Sequence, residues 1–265
     1  PIQYGYASNI FYGDFVKIAP YSSGVTPGGF IIRAAVSTGT TNNQVTGVFL
    51  GCSYTNPQTK QKTFSQFWPA NTLAGDAVAY VTDDPDTVFK VAAVASAGSL
   101  AVTSFAHGMI GLNIQCSDLA GNINTGDSYN ACIPSTAAVT ATQPIRIIDL
   151  VPDTATATTA TLTAGGGTAT LTTTALPAAL PIGTEVGYLA ANGQYIGTGA
   201  WVSAAATAGA TSVTINAIAA TVNAGGAAST NITIPNGSTL VFTQYPEAYV
   251  KFNFGIHEYY TATAY

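Results

Sequence analysis

The side chains with which this chain could do chemistry are few: two histidines, three cysteines and twelve acidic residues, against seven basic ones. His107 and His257 stand far apart, and no Gly-x-Ser-x-Gly elbow accompanies them, so a serine-nucleophile triad has no local support. Both read as satisfied polar residues of a sheet. Asp83-Asp84-Pro85-Asp86 gathers three carboxylates. A calcium loop needs about six to eight oxygens at set positions and a glycine at a sharp bend, so this run reads as a hairpin turn. Gly165-Gly166-Gly167 lacks the following helix and the lysine of a phosphate loop, and reads as a turn. Two acids could converge for glycoside cleavage, but no spacing assigns them. Cys52, Cys116 and Cys132 are odd in number and fit no zinc pattern. They read as buried free thiols, with a Cys116–Cys132 disulfide as the alternative. No catalytic residue, metal ligand or cofactor site is predicted.

The distribution of charge carries more information. Between Thr154 and Pro246 the only charged side chain is Glu185. Ala, Thr, Gly and Asn dominate there, punctuated by Leu, Val and Ile. Such a segment can fold, present a neutral surface and touch other molecules, but it has little with which to move protons. Over the whole chain 7% of residues are charged, against about 25% in ordinary soluble domains. With 47% hydrophobic residues the composition is the reverse of a disordered one. The net charge of −5 and the scattered lysines and arginines provide no basic footprint for nucleic acid. No apolar run is long enough for a membrane helix, and the N-terminal PIQYGYASNIFYG has no signal-peptide pattern.

The elements that must position these groups are strands. Short runs of Thr, Val, Ile, Tyr and Phe alternate with Gly, Pro, Asn and Asp, and no helical period is sustained. The fold class is therefore all-β. Hairpins are expected at Val48–Thr55 with Thr63–Trp68, at Ala77–Val81 with Thr87–Val94 across the acidic turn, and at Glu185–Ala190 with Gln194–Val202 across Asn192-Gly193. Two more are expected at Thr230–Ile234 with Thr239–Gln244 and across Gly165-Gly166-Gly167. Thr211–Ile218 alternates as one strand. Residues 248–257 read as a half-buried strand with Ala248, Val250, Phe252, Phe254 and Ile256 on one face. Charge and aromatic density are alike on both sides of the neutral block. Residues 1–153 plus 245–265 are thus expected to form a base domain, and 154–244 an inserted small β-sandwich or barrel-like domain. Tyr4, Tyr6, Phe11 and Tyr12 sit on an N-terminal arm without helical period; the arm either folds back on its own core or docks on a neighbour. The other tyrosines and both tryptophans suit sheet cores and subunit interfaces, with sugar stacking as the alternative.

Several stretches, taken in order, resemble one family. They are Gly47–Thr55, Phe64–Ala70, Ala77–Val91, Ile110–Asn113, Ile145–Leu150 and Val250–Tyr259. Their succession is similar to that of the β-rich decoration or cement proteins of tailed-bacteriophage heads. In simpler relatives the Arg-Ile strand leads almost directly to the C-terminal strand, so the neutral block is an addition. The resemblance implies no catalytic residue and no cofactor. It implies a virion location on the outer capsid surface, the major capsid protein as partner, no nucleic acid or membrane partner, and a homotrimer at threefold or quasi-threefold positions. Candidate capsid or subunit contacts are Tyr4, Tyr6, Phe11 and Tyr12. The alternative function is host-surface glycan binding by the insert, with Tyr188, Tyr195 and Trp201 as stacking residues.

Overall fold

A computed structural model describes residues 1–20, 28–34, 44–164, 170–216 and 234–258. The chain is all-β; among the described residues short 3-10 turns are the only helical elements besides the strands. In chain order the strands are β1 Phe15–Ile18, β2 Ile31–Arg33, β3 Gly47–Thr55, β4 Lys62–Ser65, β5 Val78–Thr82, β6 Phe89–Ala92, β7 Asn113–Ile114 and β8 Ile145–Leu150. Then follow β9 Thr156–Ala164, β10 Thr170–Thr173, β11 Glu185–Leu189, β12 Tyr195–Trp201, β13 Ser212–Thr214, β14 Thr239–Gln244 and β15 Glu247–Phe252. Among the described residues no helix is long and apolar enough to cross a membrane.

The chain divides into two compact units. The first holds Pro1–Ala101, Gly111–Ile148 and Tyr249–Tyr265; the second holds Val102–Ile110 and Asp149–Ala248. The division falls inside β8 and inside β15, a few residues outside the edges of the neutral block. Val102–Ile110, which composition assigns to the base, joins the second unit because its groups are satisfied there. Phe105 is buried and its N–H donates to Tyr245 O (2.8 Å).

In the first unit β3 is the organising strand. One of its edges pairs antiparallel with β1 at the start and β4 at the end; the other pairs with β5. Its register slips between Phe49 and Gly51, where Gly51 has φ +138. This bulge changes the parity of the strand. Phe49, Cys52 and Tyr54 consequently all join one core with Ile10, Val16 and Trp68, while Leu50 is turned out to solvent. The β3–β4 hairpin forms as expected, and Asn56 Oδ1 closes its turn by accepting from the N–H groups of Gln58 and Thr59.

The expected β5–β6 hairpin does not form. β5 pairs with β3, whereas β6 belongs to a four-stranded sheet of order β6-β15-β8-β7. The acidic run is a turn between sheets: Asp84 Oδ1 accepts from Asp86 N–H (2.9 Å), and Asp86 pairs with Lys251 Nζ (3.2 Å). In β15 the expected alternation holds for Ala248, Val250 and Phe252, which are buried. It ends there, because Phe254–Ile256 turns into a 3-10 segment that exposes Phe254.

His257 is buried, with Nε2 donating to Thr46 O (2.9 Å). Desolvation lowers its pKa from 6.5, against the raising effects of Thr46 O and of Asp83. The folded state therefore holds fewer protons than the unfolded chain just below that value, so this contribution to stability is present above pH ~6.5 and lost on acidification. His257→Gln should lose less of its urea midpoint than the wild type between pH 7.5 and 5.5. Parallel losses in the two proteins would contradict this assignment.

The second unit is built on a six-stranded sheet of order β12-β11-β14-β9-β10-β13. β9 and β10 pair antiparallel, while the three glycines between them lie outside the described residues. The β11–β12 hairpin forms at Asn192-Gly193, with Gly193 N–H donating to Ala190 O. The expected partner of β14, residues 230–233, also lies outside the described residues. Both edges of β14 are taken by β9 and β11, so it is a central strand. The sheet curls and its two edges make contact. Val202 and Ile215 form an antiparallel bridge, Ser203 N–H donates to Thr214 O (2.9 Å) and Asn216 N–H to Trp201 O (3.0 Å). That contact lies just past the ends of β12 and β13 and gives the sheet a half-barrel curl. The interior is apolar, with Leu162, Leu171, Leu180, Val186, Val213, Leu240 and Phe242 at its centre. Thr159, Thr161, Thr163, Thr170 and Thr172 alternate with these on the outer face, while Thr173 and Thr198 are buried, which is why so neutral a sequence makes an ordered module.

Candidate functional site

The N-terminal arm folds back on its own unit. Ile2 N–H donates to Ala77 O (3.1 Å), Ile10 pairs with Trp68, and Gly13 N–H donates to Phe49 O (2.8 Å). Asp14 fastens the arm. Its carboxylate is fully buried and accepts from Phe11 N–H (2.9 Å), Ser128 Oγ (2.5 Å) and Asn130 Nδ2 (3.1 Å). Arg33 Nε lies 3.2 Å away, and Arg33 Nη2 reaches Asp118 (2.8 Å) and Leu119 O (2.6 Å). Burial pushes the Asp14 carboxyl above its ordinary range, against the lowering effects of the Phe11 N–H, the Ser128 hydroxyl and Arg33.

This arrangement sorts the four arm aromatics. Phe11 is buried and stacked on Phe67 (centroids 5.7 Å apart), so it serves the core and is not available as a contact. Tyr6 packs against the core, and its hydroxyl accepts from Arg33 N–H (3.1 Å). Tyr4 and Tyr12 remain outward, 59% and 46% exposed.

Tyr12 stands beside an aromatic face on the β4-β3-β5 sheet that sequence reasoning did not single out. Phe64 on β4 and Val78 on β5 lie directly opposite Ser53 of β3; one step along, Tyr80 lies opposite Gly51. Small residues thus occupy the middle strand and large ones its flanks. The result is a cleft of about 420 Å³ lined by Tyr12, Leu50, Gly51, Phe64, Gln66 and Tyr80. Phe64 is 75% exposed, and Leu50 and Tyr80 nearly half. Tyr80 donates its hydroxyl to Ser53 Oγ (3.2 Å), which fixes the ring's tilt. Tyr12 and Leu50 also line a second cleft of about 510 Å³, whose other wall carries Phe89, Lys90, Asp127, Ser128 and Asn130.

Exposed aromatics clustered on a rigid sheet, with polar groups at the rim, have the composition of a protein-docking surface. Comparisons with protein-family models, with curated proteins and with solved structures find no match to this chain. Gly51 is the residue on which the face depends. A Cβ there would stand 2.9 Å from Ser65 O, on a backbone at φ +138. Gly51→Ala should cost roughly 1–3 kcal/mol by strain and overpacking, measurable as a lower urea midpoint. A midpoint equal to the wild type would contradict the need for glycine at this bulge.

In the second unit His107 opens a 3-10 turn instead of sitting in a sheet, and its Nδ1 contacts Glu185 Oε1. Tyr245 stacks edge-on against His107 (5.2 Å) and places its hydroxyl 3.5 Å from Glu185 Oε2. Desolvation, then the Glu185 charge, raises the phenol pKa of both Tyr245 and Tyr195. The lone acid of the neutral block is thus a tether for the Val102–Ile110 segment. The pair is half-exposed, so Glu185→Gln should change stability by less than ~1 kcal/mol, read as a small shift in urea midpoint. Of the three residues considered for glycan stacking, Tyr188 is buried in the barrel core, while Tyr195 and Trp201 lie outward on β12.

Proposed function

We propose that this chain is a non-enzymatic structural protein of a tailed-bacteriophage virion, which binds the outer surface of the capsid and decorates or cements the major capsid protein lattice. The observation that carries the reading is the aromatic face around Tyr12, Leu50, Phe64 and Tyr80 on the first unit. It joins the ordered resemblance of the flanking stretches to head decoration proteins and the chemically neutral second unit. A protein that binds only the assembled lattice stabilises it by mass action. Many copies add avidity to modest single contacts. Lattice symmetry favours a trimer at threefold or quasi-threefold positions.

The test is made on particles assembled without the protein. They should rupture at lower temperature, or under milder osmotic shock, than particles that carry it, and adding the purified chain should restore the difference. Equal survival with and without the chain would sink the cementing role. A single species at three times the chain mass in solution would support trimerisation before docking; a monomer at high concentration would confine it to the capsid.

A second reading rests on Tyr195 and Trp201, both outward on β12. They could stack on host-surface sugars. Binding of the full chain to a glycan array, lost in Trp201→Ala, would favour it.

A further inference from the structure

We propose that Cys116 and Cys132 are an oxidisable staple: in an oxidising medium they close a disulfide that locks the 117–131 loop, and through it the N-terminal arm, onto the first unit. The argument starts from backbone register. The two cysteines face each other across an antiparallel bridge. Ser117 N–H donates to Ala131 O (2.7 Å) and Ile133 N–H to Gln115 O (2.9 Å), so the bonds bracket the pair and neither cysteine bonds the other's backbone. That is the non-hydrogen-bonded position of an antiparallel ladder, where Cα atoms lie about 4.5 Å apart and side chains approach most closely. This separation falls within the roughly 4.4–6.8 Å that a disulfide spans. Cys132 is also pinned from its other side: its N–H donates to Ala92 O and its carbonyl accepts from Val94 N–H. Both thiols are buried, with sulfurs 2.9 Å apart, while Cys52 lies in a different core beside Phe67 O.

The enclosed loop gives the staple its consequence. It supplies Asp118 to Arg33, Ser128 and Asn130 to Asp14, and the Gly126 carbonyl and Ser128 N–H that pair with Tyr12. Closing the loop covalently therefore stiffens the support of Tyr12, a wall of both clefts. The proposal itself does not depend on what docks there.

The step needs a two-electron oxidant of the disulfide class, such as oxidised glutathione. One cysteine thiolate attacks a glutathione sulfur, forms a mixed disulfide and expels one glutathione thiolate. The second cysteine thiolate attacks the protein sulfur of that mixed disulfide and expels the other. One S–S bond is broken and one formed, and the two cysteine protons end on two glutathione thiols. Burial, and the neighbouring Cys132, push the Cys116 thiol well above its ordinary pKa. Little reactive thiolate exists in the closed fold, so exchange proceeds through opened forms of the loop.

The test refolds the full chain from urea in glutathione mixtures running from fully reduced to fully oxidised, then blocks free thiols with iodoacetamide. At the oxidised end the expected product carries one alkyl group, on Cys52, and yields a peptide cross-linked between Cys116 and Cys132. At the reduced end three alkyl groups are expected. The oxidised form should melt roughly 5–10 °C above the reduced form, and Cys116→Ser should melt the same in both buffers. Three alkylated cysteines at the oxidised end, stable glutathione adducts, Cys52 in the cross-link, or no gain in melting temperature would each overturn the proposal. If Cys116→Ser does not fold, the wild-type mass, cross-link and melting data decide alone.

Discussion

Replacing Asp14 by Ala is expected to be the most damaging single substitution in the described part of the first unit, at about 3–5 kcal/mol. The carboxylate is fully buried and serves four partners from three stretches of chain: Phe11 N–H, Ser128, Asn130 and Arg33. Removing it strands several donors and leaves part of the Arg33 charge uncompensated. The remaining contacts of Arg33 with Asp118 and Leu119 O hold the loss toward the lower end. Asp14→Asn keeps one acceptor oxygen, which serves Ser128 and Asn130 or Phe11 N–H but not both sides, and should cost about 1–3 kcal/mol. The melting temperature should fall by roughly 10 °C in the alanine variant. Limited proteolysis should then cut first within residues 1–13, because Asp14 closes the turn from which the arm is hung. Unchanged protection of the arm would contradict that role, whatever the melting temperature.

Phe64→Asp is expected to separate folding from docking. The ring is 75% exposed on a short strand, so the stability change should stay within about 0.5 kcal/mol. At the centre of a dry interface the same change removes an aromatic anchor and introduces an unpaired charge, worth at least ~2 kcal/mol, or about 30-fold in affinity. Co-sedimentation of the purified variant with capsids lacking the protein reads this directly, and Tyr80→Ala should weaken binding in the same direction. Wild-type binding by both variants would move the contact off this face. A defect confined to Trp201→Ala would point to the second unit. Glu185→Gln should bind capsids like the wild type.

Much of the secondary structure is written locally. The β3–β4 and β11–β12 hairpins follow from turn residues that accept the required backbone geometry, and the buried residues of β15 follow from strict alternation up to Phe252. Alternation fails as a guide where the backbone changes parity. At Gly51 a bulge lets Phe49, Cys52 and Tyr54 share one core despite their spacing, and the same bulge turns Leu50 outward. Nothing local marks the bulge except a glycine, a residue common in this chain. The acidic turn misleads for a related reason. Its residues specify a reversal of direction, but whether the strands beside it pair with each other depends on which partners bury their faces better. β5 finds β3, and β6 finds β15.

By itself the sequence determined the all-β class, the neutrality of the block after Asp153 and the scarcity of groups for acid–base work, because these depend only on residue type and short-range period. Only the tertiary structure decided which aromatics are used up in packing and which are left to meet another molecule. Phe11 went inward because Gly121 and Phe67 leave room for its ring. Phe64 and Tyr80 stayed outward because they flank the small Gly51 and Ser53 of the middle strand in the β4-β3-β5 sheet. Tyr188 and Tyr195 share one hairpin, yet one lines the barrel and the other faces solvent. The groups that could do chemistry were sorted the same way. His107 and Glu185 are neighbours only because Val102–Ile110 packs with the second unit, and Cys116 meets Cys132 only through cross-strand register. Such pairings lie between segments far apart in sequence, where no local period reaches.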